Sequence, residues 1–268
     1  MLSRLAELFQ YRELIKNLVA RDLKVRYRNS VLGFLWCLGN PLLMTLVFTV
    51  VFTVLLRSNI PKFPVFLLCA LLPWNFFSTA VVGAINSVVG NEALINKVYF
   101  PREILPIAVV LSNLVNFLLA SIVLFGMLLV FRTPLTLALL FLPLVIIVQV
   151  AFTLGVSLFL ASLNVFFRDT AIIMEALLLA WFFLTPVFYP IEVLPQHYAL
   201  LGLDLDVRRL MYIVNPMASL AASYRDVLYS GVLPGLDFFA RTAVTAFAVL
   251  AVGYLFFIRT SRAFGEAM

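Results

Sequence analysis

Charge is scarce in this chain. Only 12% of its 268 residues are Asp, Glu, Lys or Arg, whereas 64% are hydrophobic. Such a chain has too few charged side chains to cover a hydrophobic core of this size with a polar surface. Lipid must therefore be the outer solvent. The composition therefore excludes a soluble domain and predicts a membrane protein.

Further absences limit the function. No GxxxxGKS or GxxxxGKT motif occurs, so the chain binds no nucleotide through a P-loop of its own. Its one histidine, His197, stands alone, and no Cys/His spacing suits a metal, so no metal site is predicted. Cys37 and Cys69 lie inside apolar runs, which favours buried free thiols over a disulfide.

Long uncharged runs fill most of the chain. A helix needs about 20 apolar residues to cross a membrane, and four charge-free runs exceed that length. Two more runs contain one charge each, Glu175 and Arg241. We expect Glu175 to pair with a neighbouring helix near the cytoplasmic end rather than to relay protons. Six transmembrane helices are predicted, in residues 29–56, 63–91, 104–131, 137–167, 170–191 and 238–258.

Lys and Arg are distributed unevenly between the predicted loops. If the N-terminus is cytoplasmic, the cytoplasmic segments hold the larger share of the 19 basic residues. The positive-inside rule then places both termini in the cytoplasm. The net charge of +6 fits anionic lipid rather than nucleic acid as the partner.

Residues 1–30 predict an amphipathic helix lying in the membrane interface. Tyr11, Leu14, Ile15 and Leu18 recur at helical spacing, while the charged residues between them point elsewhere. An earlier apolar stripe, in residues 2–9, has a different azimuth, which predicts a bend near residue 10. A lipid anchor and an anchor that also docks a protein partner are both compatible with this pattern.

The loop between the second and third predicted spans is unusually apolar. Residues 88–108 mix charged side chains with Leu94, Ile95, Tyr99 and Phe100. Apolar groups in a polar loop need a partner, which favours a short helix docking on another protein over a simple connector.

A second apolar segment follows the fifth predicted span. Residues 210–224 carry no charge, are too short to cross a membrane and are too apolar for a free loop. Re-entrant or interfacial helices broken at Asn215 and Pro216 satisfy both conditions, because irregular backbone at membrane depth needs protein or a water-filled cavity around it. A static cap on the outer leaflet is the alternative.

Several stretches, in this order and spacing, resemble the membrane subunits of bacterial ATP-binding-cassette exporters of polysaccharide, the group that moves O-antigen, capsule or teichoic acid. The resemblance runs from about residue 14 to the C-terminus. It is carried by RDLKVRYRNSVLGFLWCLGNPLL, LLPWNFFSTAVVGAINSVVGNEALINKVYFPREILPIA, NVFFRDTAII, LTPVFYPIEVLP and NPMASLAASYRDVLYSGVLP.

This resemblance implies an all-α permease of the bacterial inner membrane, with an interface helix in residues 1–30 and a six-helix domain in residues 31–268. Such permeases form homodimers and dock two copies of a separate ATPase, which binds ATP and Mg. The substrate is a glycan on polyprenyl pyrophosphate, moved outward through a channel at the dimer axis. An exporter of a lipid or drug with the same architecture is the alternative, since a fold does not fix its cargo.

The resemblance also assigns candidate site residues: residues 91–103 form the coupling loop and residues 192–237 the outer re-entrant segment. Cations at one membrane depth suit a diphosphate, although topology alone also explains them. Aromatic faces suit a long glycan without demanding one linkage, although lipid-facing belts explain most aromatic residues. The candidates are Asn91, Glu92, Leu94, Ile95, Lys97, Tyr99, Phe100 and Arg102 for ATPase coupling; Lys24, Arg26, Arg28 and Arg168 for the lipid pyrophosphate; Trp36, Trp181, Phe182, Phe188 and Tyr189 for the glycan channel; and Tyr212, Asn215 and Pro216 for the outer gate.

Overall fold

A computed structural model describes residues 10–27, 36–57, 59–95, 100–200 and 203–267. Within these ranges the regular secondary structure is helical, as the all-α prediction has it, apart from one short β-hairpin that the prediction did not include. In chain order the elements are α1 (Arg12–Tyr27), α2 (Trp36–Thr49, continued as a π-helix over Val50–Leu55), α3 (Phe63–Ile85), a 3₁₀ turn (Val89–Asn91), α4 (Glu92–Ile95), α5 (Ile104–Val130), a 3₁₀ turn (Leu137–Phe141), α6 (Leu142–Phe166), α7 (Thr170–Leu184), a 3₁₀ turn (Ile191–Val193), β1 (His197–Leu200), β2 (Leu203–Asp206), α8 (Val207–Val214), α9 (Pro216–Arg225, continued as a π-helix over Asp226–Ser230), α10 (Leu236–Ser261) and α11 (Phe264–Ala267).

Helix length supports five of the six predicted crossings. Of the described residues, five helical stretches are long and apolar enough to span a membrane: Leu38–Leu55, Phe63–Ile85, Ile104–Val130, Leu137–Phe166 and Leu236–Ser261. The predicted fifth span is α7, which has 15 residues. At 1.5 Å per residue it is about 22 Å long, short of a hydrocarbon core of about 30 Å. It ends before Thr185, whose extended backbone is the conformation that a following proline favours.

Helix α3 forms the centre of the bundle. In its most apolar window 78% of the residues are buried, against 11% for Leu38–Leu55. Two buried hydrogen bonds connect α3, α6 and α9. In the first, the carbonyl oxygen of Pro73 accepts from Gln149 Nε2 at 2.7 Å. The Tyr224 hydroxyl donates to Gln149 Oε1 at 2.5 Å. These two hydrogen bonds hold α9 and α6 against α3.

Helices α6 and α10 meet backbone to backbone. Gly155 faces the backbone of Leu250, and Gly253 faces the carbonyl group of Gly155. Further along, the hydroxyls of Ser162 and Thr260 are hydrogen-bonded to each other. Small residues allow this approach, which gains dispersion contacts along both helices.

The predicted apolar stripe of α1 is confirmed, but its partner is the same chain. Leu18 is buried against the start of α5, with Phe100 and Ile104 beside it. Charged side chains occupy the opposite side of α1, where Arg12, Glu13 and Lys16 are exposed. The earlier stripe, in residues 2–9, lies outside the described residues.

The outer segment, residues 192–237, holds a hairpin as well as helices. Strands β1 and β2 pair antiparallel with His197 opposite Asp206. The Asp206 side chain then caps α8 by accepting a hydrogen bond from the backbone N–H of Arg209 at 2.9 Å. Helix α8 ends at Val214 and α9 begins at Pro216, so the predicted break is confirmed.

Two isolated side chains give different outcomes. Cys69 is a buried free thiol, as predicted. Glu175 is exposed on α7. In the part of the chain that the structure describes, the ion pairs all lie on α1. The predicted pairing of Glu175 with a neighbouring helix is therefore not found there.

Candidate functional site

Asn215 joins the outer helices to the end of α7. Its Oδ1 accepts hydrogen bonds from the Trp181 indole N–H at 2.8 Å and from the backbone N–H of Ala218 at 3.2 Å. Its Nδ2 donates to the Thr185 hydroxyl at 2.9 Å. Pro216 takes the first position of α9, where a missing N–H costs nothing. The structure thus bonds a predicted gate residue directly to a predicted channel residue.

Replacing Asn215 with Ala should loosen this junction. The change removes the cap of α9 and the acceptor of the Trp181 N–H, so we expect a destabilisation of about 2 to 4 kcal/mol. A double-mutant cycle with Trp181→Phe, followed by thermal unfolding in detergent, measures the coupling. Strictly additive losses from Asn215→Ala and Trp181→Phe would contradict the hydrogen bond.

Aromatic rings form a continuous cluster between α2, α3 and α7. Phe188 lies 5.3 Å from Phe52 and 5.7 Å from Phe182, measured between ring centroids. Trp181 meets Phe77 edge-on at 5.1 Å. We define the aromatic cluster as Phe48, Phe52, Phe63, Phe66, Trp74, Phe77, Trp181, Phe182, Phe188 and Tyr189.

The predicted channel residues do not all lie together. Trp181, Phe182, Phe188 and Tyr189 belong to the aromatic cluster, whereas Trp36 stands at the start of α2 and is 50% exposed. Trp181 has its N–H bonded and its ring packed between neighbours, so internal packing accounts for it without a ligand. The remaining gate candidate, Tyr212, packs edge-on against Phe238 at 5.0 Å.

Arg225 is a site residue that sequence reasoning missed. It is 9% exposed. Its guanidinium donates to the carbonyl oxygens of Phe66 at 3.3 Å, Pro186 at 2.6 Å and Val187 at 2.6 Å. The same group lies 3.6 Å from the centroid of the Phe66 ring. Burial lowers the pKa of Arg225 to about 10, so it stays charged at neutral pH.

One arginine thus connects α9, α3 and the turn after α7. In the sequence, Arg225 directly follows the uncharged residues 210–224. The signal that was available is that an arginine adjoining so apolar a segment needs acceptors, because an unpaired buried charge is costly.

The described part of the coupling loop contacts other parts of the chain. Leu94 and Ile95 pack against the α1 cluster around Leu18, and Phe100 is 6% exposed. These apolar side chains thus have contacts with α1 and the start of α5, although Leu94 and Ile95 remain partly exposed; their docking on another protein stays a prediction. Lys97 and Tyr99, also predicted for coupling, lie outside the described residues.

The polar coupling candidates tie the loop to two helices. Asn91 accepts a hydrogen bond from the Arg21 guanidinium of α1 at 3.4 Å. Arg102 donates to the carbonyl oxygen of Ser261, at the end of α10. Glu92 is the first residue of α4. Movement of this loop would therefore be transmitted to both α1 and α10.

The predicted cations occupy different settings. Arg26 Nη2 donates to Asn113 Oδ1 of α5 at 3.1 Å, which holds the end of α1 on the bundle. Lys24 is exposed on α1, and Arg168 is exposed in the turn between α6 and α7. Arg28 lies outside the described residues.

The sequence profile of the ABC-2 type transporter family matches residues 13–229. The chain belongs to this family. It is 40% identical over 257 residues to the O-antigen export system permease protein RfbA of Myxococcus xanthus, covering 96% of each chain. A Klebsiella pneumoniae protein of the same name is 31% identical over 257 residues, which is 96% of this chain and 95% of the relative. The Polysialic acid transport protein KpsM of Escherichia coli is 24% identical over 191 residues, 69% of this chain and 72% of the relative.

Membership in the ABC-2 family makes the chain a membrane subunit of an ABC transporter, which works with an ATPase partner. It is a multi-pass membrane protein, consistent with its long apolar helices. The resemblance to polysaccharide exporters is confirmed by the relatives. The matched residues include every candidate site residue, from Lys24 to Pro216.

Proposed function

We propose that this chain is the permease of an ATP-driven exporter that moves a polyprenyl-pyrophosphate-linked polysaccharide, such as O-antigen, from the cytoplasm to the outer side of the bacterial inner membrane. The observation that carries this proposal is 40% identity to an O-antigen export permease across 96% of both chains. A lipid or drug exporter has no such support among the relatives.

The assembly that we propose is a homodimer with two ATPase copies, which bind the ATP and Mg. Both termini are cytoplasmic, and the chain crosses the membrane six times, the fifth crossing being made by α7 together with the turn that follows it. At about 22 Å, α7 ends below the outer surface. This shortness supports a re-entrant position for α8 and α9, because their junction at Asn215 is hydrogen-bonded to Thr185 at the end of α7.

We assign ATPase coupling to the coupling loop, residues 91–103. The hydrogen bonds of Asn91 to α1 and of Arg102 to α10 support this role, since they connect the loop to the bundle at two points. We assign the glycan path to Phe182, Phe188 and Tyr189, with Trp36 at its cytoplasmic start. Their rings offer apolar faces that suit sugar C–H groups of any linkage.

We assign the approach of the lipid pyrophosphate to Lys24, Arg26, Arg28 and Arg168. Changing Arg26 and Arg28 to Lys keeps the charge, and with it the topology, but removes the planar fork that suits phosphate oxygens. We expect this double variant to insert correctly and bind its ATPase, yet to accumulate lipid-linked glycan on the cytoplasmic side. Extraction of the lipid-linked glycan measures the accumulation.

Asn113→Ala is the matched control. It removes the acceptor of Arg26 on α5 but leaves the guanidinium in place, so export should stay near normal. An equal loss in Asn113→Ala would show that Arg26 acts by holding α1 on the bundle. Full export by the double Lys variant would leave topology as the only role of these cations.

Deleting the gene tests the proposed function. We expect loss of the surface glycan and accumulation of its lipid-linked form inside the cell, both restored by the wild-type chain with its ATPase. Restoration should fail with an ATPase whose P-loop lysine is replaced, because this chain has no P-loop of its own. Unchanged surface glycan after deletion would contradict the function.

A further inference from the structure

An open pocket of about 380 Å³ lies where the loop after α2, the turn after α7 and helices α8 and α9 meet. We call it the outer pocket. Its volume is in the usual range for small-molecule sites, about 300 to 1,000 Å³. The residues that give it chemical character are Phe66, Glu192, Tyr212, Arg225, Asp226 and Tyr229.

Some polar groups of the outer pocket have hydrogen-bond partners within the described residues and others have none. Arg225 is held in place by three backbone carbonyl groups. Glu192 and Asp226 line the same pocket, and the described residues give their carboxylates no hydrogen bond or ion pair. Asp226 is half-buried, and this burial raises its pKa because it disfavours the charged carboxylate. The pocket therefore offers free acceptors to a ligand that carries donors.

The charges and rings narrow the class of ligand. Two carboxylates outweigh one guanidinium, which disfavours an anion. Nowhere in the described ranges do three groups that could ligate a metal come together. A purely apolar ligand would leave the carboxylates unsatisfied. A neutral sugar satisfies all the groups, because its hydroxyls donate to carboxylates while its C–H faces lie on aromatic rings.

The outer pocket is continuous with the aromatic cluster. Tyr229 lies 5.7 Å from Phe66, and Phe66 lies 6.3 Å from Phe63. Phe63 is 5.5 Å from Phe52, which in turn lies 5.3 Å from Phe188. A row of rings thus connects the proposed glycan path to the pocket. Phe63 and Phe66 are themselves buried, so this row forms the wall behind the pocket, and the half-buried rings of Tyr212 and Tyr229 are the ones that a sugar can reach.

We propose that the outer pocket binds one neutral sugar unit of the exported glycan at the outer end of its path. The rings of Tyr212 and Tyr229 hold the ring of the sugar, and Glu192 and Asp226 accept hydrogen bonds from its hydroxyls. The identity of the sugar as part of an exported glycan rests on the proposed function, whereas sugar binding itself does not.

Protection from thiol labelling tests the binding. Ser230 is exposed and lines the outer pocket, so Ser230→Cys reports on it when Cys37 and Cys69 are replaced by Ala. The protein is held in lipid nanodiscs with its ATPase and labelled with a small membrane-impermeant reagent. Methyl glycosides of glucose, mannose, galactose and N-acetylglucosamine serve as probes, and inorganic phosphate as the charged comparison. Leu233→Cys, exposed and outside the pocket, is the matched reporter.

We expect at least one glycoside to slow labelling at position 230 but not at position 233. Combining Glu192→Gln with Asp226→Asn should weaken this protection about tenfold, since hydrogen bonds to charged acceptors are lost. Asp237→Asn, the same chemical change at an exposed site outside the pocket, should leave it intact. Failure of every glycoside, protection by phosphate alone, or full protection in the double variant would each overturn the proposal.

Export separates this proposal from the function on which it rests. In cells that lack the native gene, the Glu192→Gln and Asp226→Asn double variant should export several-fold less glycan than Asp237→Asn at equal protein levels. Equal export by the two variants would show that the outer pocket is not part of the glycan path. If deletion of the gene itself leaves the surface glycan unchanged, the proposed function is wrong, and the bound sugar is then not part of an exported glycan. The labelling experiment still decides whether the pocket binds sugar.

Discussion

Replacing Gly253 with Ala should largely abolish recovery of the folded protein. A methyl group on Gly253 would overlap the carbonyl oxygen of Gly155 and lie 2.9 Å from its carbonyl carbon. The obstacle is backbone rather than a movable side chain, so only separation of α6 from α10 relieves the overlap. We expect a destabilisation of about 3 kcal/mol or more, at or beyond the upper end of the usual range for overpacking. The yield of monodisperse protein in mild detergent and its thermal unfolding measure the effect.

Gly126→Ala is the matched control. Gly126 also lies within a membrane-spanning helix, α5, but nothing lies within 4 Å of the position that its methyl group would take. Alanine there should be neutral or slightly stabilising, since it restricts the unfolded chain. Gly155→Ala should resemble Gly253→Ala, because its methyl group would lie 2.6 Å from the backbone nitrogen of Leu250. Normal yield of Gly253→Ala would contradict the direct contact of the two helices.

The features that could be predicted from sequence are those fixed by local pattern. Uncharged runs locate the membrane-spanning helices because charge in the hydrocarbon core is costly. The spacing of Leu14, Ile15 and Leu18 gives the buried side of α1, and Asn215 followed by Pro216 gives the start of α9, because each is a property of neighbouring residues. The polysaccharide-exporter resemblance is likewise a sequence property, and the relatives confirm it.

Two errors came from signals that were present but outweighed. The sequence predicts residues 170–191 as one helix because they carry a single charge, although Pro186 disfavours a helical conformation for the residue before it. The alternation of Leu and Asp at 203–206 matches the period of a strand, and the structure pairs these residues in β2. In both segments, apolar content was given more weight than the backbone preferences of single residues.

Other features depend on contacts between distant parts of the chain. The sequence predicts that Leu94 and Phe100 dock on a partner, but it does not show that both also pack with α1 and the start of α5. Gly155 and Gly253 are ordinary helix glycines until their helices are placed side by side. Arg225 finds its three acceptors in α3 and in the turn after α7, far from it in sequence.

Replacing Arg225 with Met should separate the outer helices from the bundle. Methionine fills much of the same space but leaves the carbonyl groups of Phe66, Pro186 and Val187 without their donor. A hydrogen bond to a charged donor contributes roughly 1.5 to 3 kcal/mol, so we expect the loss of this donor to destabilise the protein by about 3 kcal/mol or more. Arg225→Lys keeps the charge, yet a single ammonium group cannot match the planar fork that reaches three carbonyl oxygens. We therefore expect an intermediate loss for Lys and a larger one for Met.

Arg209→Met provides the comparison for this series. Arg209 is exposed on α8, and its side chain makes no hydrogen bond within the described residues, so its loss should change stability by less than about 0.5 kcal/mol. Thermal unfolding gives the order of the variants, and hydrogen exchange locates the opening. Protection should fall first in α9, because α9 carries Arg225, and least in α6 and α10, which are joined by their glycines. Stability of Arg225→Met equal to that of Arg209→Met would show that the cap and the Gln149–Tyr224 contact hold α9 without the guanidinium.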